Sequence, residues 1–247
     1  MTKVTRLVLF ALALRAQPIE LKTASTSPMR YYLSLPKGWP AAKRWPVVIV
    51  IESANREFER TATLFANARG AMPFILAVPM AVTNGGASYR QVPSYRYSES
   101  DWARIEQTGG CRFDQDGIAA IAADIRKNYG GEDKYFLTGW EAGGHTVWSA
   151  LFQHPEALRA AALAGPNYQA RCVEFSSDPA RGTLPVKVFL SGMRMDTAPN
   201  LYIHQQSNRA KAEGEQHGFR SIMLDVIADK PHGPMPELVL AWFQSML

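Results

Sequence analysis

The chain has 247 residues, of which 47% are hydrophobic and 20% charged, which fits one large α/β domain with a sizeable core better than two full domains. Its formal charge of +5 is spread along the chain, with no Lys/Arg-rich run and no zinc-finger or RNA-module pattern, so a nucleic-acid partner is not expected. There is no internal repeat, no low-complexity tract and no motif for a cofactor or metal.

The first segment, "MTKVTRLVLFALALRAQP", has a basic start (Lys3, Arg6), an apolar stretch from Leu7 to Leu14 and small residues at Ala11, Ala13 and Ala16. That layout predicts a secretory signal peptide over residues 1–16, leaving 17–247 as a single domain that is secreted or periplasmic. A buried N-terminal segment is the alternative. The apolar part is far below the roughly 20 residues that span a bilayer, so no stable membrane anchor is expected. Cleavage after Ala16 would remove Lys3, Arg6 and Arg15 and leave a formal charge of +2. The two cysteines, Cys111 and Cys172, are compatible with one disulfide in an exported protein; in a cytosolic protein they would be free thiols.

Downstream, "IELKTAS" and "MRYYLSLP" predict an antiparallel strand pair joined by a Thr/Ser/Pro turn. "PVVIVIES" is continuously apolar, as a strand buried on both faces would be. "FILAVP", "KYFLTG", "AALAGP", "VKVFLSG" and "SIMLDVI" read similarly. Helices are expected over Glu57–Ala68, Asp114–Tyr129, Ala142–His154, Tyr202–Gln216 and Met235–Met246. Within the second, Ile118, Ile121, Ala122 and Ile125 form a core-facing stripe. The pattern predicts an α/β fold with an eight-stranded, mostly parallel sheet covered by helices on both faces. Ligands then belong beyond the carboxyl ends of the strands. One connection, residues 80–112, is too long for a plain loop. Its Tyr95, Tyr97 and Trp102 form either an aromatic wall over a site or a small core of its own.

The stretch "YFLTGWEAGG" demands an abrupt turn from buried strand to helix, with Gly139 and Gly143 two residues either side of Glu141. This is the layout of a nucleophile elbow, G-x-S-x-G, with glutamate at the serine position and Trp140 beside it as a candidate ligand contact. The region "FDQDGIAAIAADIRKNYGGEDKYFLTGWEAGGHTVWSALFQHPEALRAAALAGPNYQARC" resembles the α/β-hydrolase superfamily, especially secreted esterases similar to feruloyl esterases and polyhydroxybutyrate depolymerases. The resemblance covers most of the chain in element order and is motif-specific around the elbow. It implies Glu141, Asp196 and His232 at the nucleophile, acid and histidine positions, in that chain order. Asp196 lies one residue beyond the commonest spacing; as alternatives, it is a helix N-cap and His232 a solvated loop residue. The oxyanion-hole amides would come from Ala142 and from Ala54 or Ser53, although "VIESANR" replaces the His-Gly usual at that strand end.

Glutamate has no hydroxyl for histidine to deprotonate, so serine-type acyl transfer is not available. An aspartate nucleophile at this position serves dehalogenase-like and epoxide-hydrolase-like relatives. Glutamate is one methylene longer, and misplacement by about 1 Å costs on the order of 10²-fold. Attack on an ester would also give a mixed anhydride. General-base catalysis of water attack is the remaining route. If Glu141 and Asp196 both approach His232, the imidazole becomes part of a static ion triad. The expectation is a noncatalytic or chemically altered hydrolase binding a small ester or polymer-derived ligand, with an active enzyme using Glu141, His232 and Asp196 as the alternative. The sequence leaves the oligomeric state open.

Overall fold

The computed structural model describes residues 18–40, 42–85, 90, 92–193 and 198–247. The proposed export segment lies outside them, as does Asp196. Strands β1 (Glu20–Thr23), β2 (Arg30–Ser34), β3 (Val47–Ile51), β4 (Ile75–Pro79), β5 (Tyr135–Glu141), β6 (Leu158–Pro166), β7 (Val186–Ser191) and β8 (Ile222–Ile227) form one sheet in the order β1-β2-β4-β3-β5-β6-β7-β8. Strand β2 runs antiparallel to both β1 and β4, and every other pairing is parallel.

The sequence explains the order. All five residues of β3, "VVIVI", are buried, as a central strand covered on both faces requires. The outer strands β1 and β8 carry polar or partly exposed residues instead. Among the described residues six α-helices connect or follow the strands: α1 (Phe58–Arg69), α2 (Glu99–Thr108), α3 (Gly110–Tyr129), α4 (Gly143–Gln153), α5 (Ala198–Gln216) and α6 (Pro236–Gln244). The chain steps in one direction from β3 to β4 and in the other from β5 to β6. Right-handed crossovers therefore put α1 and α4 on opposite faces. Helix α1 buries Phe58, Ala62, Phe65 and Ala66 at helical spacing and packs beside α6. On the other face, Gln115 of α3 donates to Ser149 Oγ of α4 at 3.2 Å.

The long connection is the main departure from the sequence reading. It contains α2, which opens on a capping box. Ser98 Oγ accepts from the Asp101 amide at 3.2 Å, and the Asp101 carboxylate accepts from the Ser98 amide at 2.8 Å. Tyr95, Tyr97 and Trp102 are buried against one another, with ring centroids 5.1–5.9 Å apart, and Phe113 of α3 joins them. The Tyr97 hydroxyl donates to the Met80 carbonyl at 2.7 Å, and the Tyr95 hydroxyl to that of Ala81 at 2.7 Å. Among the described residues these rings form a small core within the connection, the second of the two arrangements the sequence offers for them. Helix α3 starts at Gly110, earlier than expected, because this core supports its first turn. Cys111 is therefore helical, and it forms a disulfide with Cys172 of the loop after β6, with Cα atoms 5.5 Å apart.

Candidate active site

The elbow forms as the glycine spacing predicts. Glu141 ends β5 with φ +49°, a left-handed conformation that costs a residue with a side chain on the order of 1–3 kcal/mol. A single Cβ on Gly143 would lie 2.6 Å from the carbonyl oxygens of both Ile51 and Glu52, so only glycine lets α4 start this close to β3. The Asn167 amide donates to the Glu141 carbonyl at 2.8 Å and holds the turn from the β6 side. Glu141 and Trp140 are both partly exposed, and Ala142 is the residue from which α4 springs. The positive end of the α4 dipole favours a carboxylate at this position.

His232 comes to the same place. Gly165, at the end of β6 and with φ +48°, is so close to the imidazole that a Cβ there would lie 2.7 Å from Nδ1. The ring centroids of His232 and Trp140 are 6.2 Å apart. Ser191 Oγ, closing β7, donates to the Lys230 carbonyl at 2.6 Å and so anchors the histidine loop to the neighbouring strand end. The only histidine ion pair among the described residues joins His154 to Glu156; His232 is placed through Gly165 and through Trp140, the residue preceding Glu141. Nothing is placed for Asp196, which lies between β7 and α5 outside the described residues.

The end of β3 is more polar than the sequence reading recognised. Glu52 is buried, and its carboxylate accepts from Ser53 Oγ at 3.1 Å, the Glu57 amide at 3.3 Å, Trp140 Nε1 at 3.4 Å and Thr61 Oγ1. One carboxylate thus ties together the loop after β3, the start of α1 and the residue preceding Glu141. Ser53 is buried and Ala54 exposed.

Behind the elbow, Asp114 of α3 is buried and accepts from the amides of Val82 and Thr83 at 2.9 and 2.8 Å and from Thr83 Oγ1 at 2.6 Å. Burial pushes its carboxyl up to about 6, against the opposing effect of these hydrogen bonds. Thr83 Oγ1 also lies 2.8 Å from Thr146 Oγ1 of α4. His145, one turn into α4, is buried, and Arg171 is its cationic neighbour. Burial first and then Arg171 hold its pKa down to about 4, so the ring is neutral. Arg171 itself donates to the carbonyls of Thr83 at 3.1 Å and Gly85 at 2.6 Å.

Glu52 stood in the stretch already singled out as unusual, but Asn84, Asp114 and Arg171 follow no motif and come together only in the fold. A cavity of about 330 Å³ between α3 and α4, lined by Ala119, Ala122, Ala150 and His154, contains none of the elbow residues.

No protein-family model matches the sequence, and no curated protein matches it as a relative. Solved structures do match in shape. A poly(3-hydroxybutyrate) depolymerase from Bordetella parapertussis has a TM-score of 0.63 at 14% identity, over 93% of this chain and 89% of that one. A poly(aspartic acid) hydrolase from Sphingomonas has a TM-score of 0.63 at 14% identity, over 93% and 97%. A thermostable esterase has a TM-score of 0.58 at 14% identity; the match covers 93% of this chain but spans only 62% of the esterase. Strand order, elbow and these likenesses together assign the chain the α/β-hydrolase fold.

Proposed function

We propose that this is an exported hydrolase-like protein whose elbow cleft binds a small acyl ester or a fragment of an ester-linked polymer without serine-type turnover. One observation carries the reading: a carboxylate occupies the left-handed elbow position at the end of β5, while a histidine packs on Gly165 at the end of the neighbouring β6. The strained backbone that presents a nucleophile is retained, while the group presented cannot acylate by the serine route. Loss of the nucleophile alone costs about 10⁶ in turnover in a serine protease. Asp196 is assigned the acid position, and the backbone amides of Ala142 and of Ser53 or Ala54 the oxyanion positions. The disulfide and the signal-like first 16 residues support export, because such bonds persist in oxidising compartments. Among the described residues no helix is long and apolar enough to cross a membrane.

A second reading keeps catalysis, with Glu141 as nucleophile or general base and His232 and Asp196 assisting. It is favoured by the partial exposure of Glu141, whose side chain is presented at the top of the elbow. Hydrolysis of nitrophenyl butyrate by the native chain, by Glu141→Gln and by His232→Ala separates the two. Binding reading: all three stay at background. Turnover by the native chain that disappears in both variants would establish the second.

A further inference from the structure

Asn84, in the loop after β4, has no exposed surface, and its side-chain amide bridges two successive carbonyls. Nδ2 donates to the Glu52 carbonyl oxygen at 2.9 Å and to the Ser53 carbonyl oxygen at 3.2 Å, while Oδ1 lies 3.2 Å from the Tyr95 hydroxyl, whose single proton it shares with the nearer Ala81 carbonyl. Every link in this chain is braced in turn. Tyr95 is set by the aromatic core of the long connection, and the residues just before Asn84 are held by Asp114 through the amides of Val82 and Thr83. The carbonyls on either side of Asn84, those of Thr83 and Gly85, are held by Arg171. Buried hydrogen bonds arranged like this resist rotation, because breaking one leaves a desolvated polar group unpartnered.

The consequence falls on the loop after β3. A planar trans peptide points its N–H away from its C=O, and no cis bond occurs among the described residues. With the carbonyls of Glu52 and Ser53 both turned to Asn84 on the packed side, the amides of Ser53 and Ala54 are turned the other way. We propose that Asn84 is a positioning residue that aims these two amides at the ligand, so that the cleft takes a compound presenting a carbonyl or carboxylate oxygen. Fixed N–H donors are worth most to a partially negative oxygen. A cationic ligand would leave both donors unpartnered on binding. The inference rests on the elbow cleft being an acyl-ligand site, and it adds the buried side chain that holds the Ser53 and Ala54 amides in place.

The test is a titration of the ¹⁵N-labelled full chain with ethyl butyrate, followed at the backbone amides and the tryptophan indoles, with tetramethylammonium as the cationic control. The expected result is saturable shifts of the Ser53 and Ala54 amides with the ester and none with the cation. Those shifts should fall at least several-fold in Asn84→Asp, which keeps the shape but cannot donate to two carbonyls. Should Asn84→Asp not fold, Asn84→Ser carries the same comparison, and undiminished shifts in a folded variant overturn the role of Asn84. Ester shifts at the Trp140 indole without shifts at Ser53 and Ala54 overturn this inference alone. Equal shifts with the cation also overturn it. If the ester perturbs no residue of the cleft, the acyl-site reading falls and takes this inference with it.

Discussion

At the scale of single residues, two buried ionisable groups behind the elbow titrate against each other. Asp114, held near 6 in the folded chain, has an unfolded value of about 4. The folded state therefore binds a proton that the unfolded state does not. Its contribution is fully present below about 4 and is lost as pH rises through 6. His145, held near 4, has an unfolded value of about 6.5. Its contribution is present above about 6.5 and is lost as pH falls through 4. Each is worth on the order of 3 kcal/mol over its window, so in the native chain they largely cancel between pH 4 and 6.5. Urea unfolding across that range should show it. Relative to the native chain, Asp114→Asn should lose stability as the solution is acidified, and His145→Gln should gain it. Parallel pH profiles for all three proteins would mean that neither group is perturbed in this way.

The secondary elements show what was and was not legible in the sequence. Strands β3 to β7 follow directly from short apolar runs, because a strand covered on both faces has little choice but valine, isoleucine, leucine and alanine, whereas β1 and β2 follow from their turn-linked pairing pattern. The elbow was legible for a related reason: Gly143 has backbone oxygens where a side chain would be, and that exclusion leaves a mark at fixed spacing. Helix α2 was missed although Ser98 and Asp101 spell its cap, because only Trp102 and Ile105 of its ten residues are buried and the apolar stripe is correspondingly thin. The inward turn of Tyr95 and Tyr97 was not legible either, since a tyrosine beside a cleft and one bonded to a backbone carbonyl have the same sequence signature. The Asp114–Thr83–Asn84 brace links α3 to the loops after β4 and β3, and no local pattern reports a contact between such distant segments.

The disulfide belongs to this scale as well, since it fastens the start of α3 to the loop that carries Arg171 over the first turn of α4. It closes a loop with a sequence separation of 61 residues. By loop-closure entropy it is worth about 4 kcal/mol. Cys111→Ser with Cys172→Ser should lower the unfolding free energy by that order, read from urea melts. A loss below about 1 kcal/mol would show that the strap stays in place without the bond.

At the scale of the whole molecule, the architecture is that of an α/β-hydrolase fold, and the strand ends carry glutamates. Among the described residues, eight strands, right-handed crossovers and a left-handed elbow residue make the α/β-hydrolase fold, and His232, after the last strand, packs on Gly165. The two glutamates stand at adjacent strand ends. Glu52 is consumed in holding the β3 loop, α1 and Trp140 together, whereas Glu141 stands partly exposed at the position where attack would begin. On the proposed function, the side chain of Glu141 is the group that bars serine-type acylation. Intact-mass spectrometry after treatment with a fluorophosphonate ester tests it most directly. The native chain should show no adduct, and Glu141→Ser should gain the mass of one phosphonyl group at the substituted position. Stoichiometric labelling of the native chain at the elbow, or a folded Glu141→Ser variant that stays unlabelled, would contradict it.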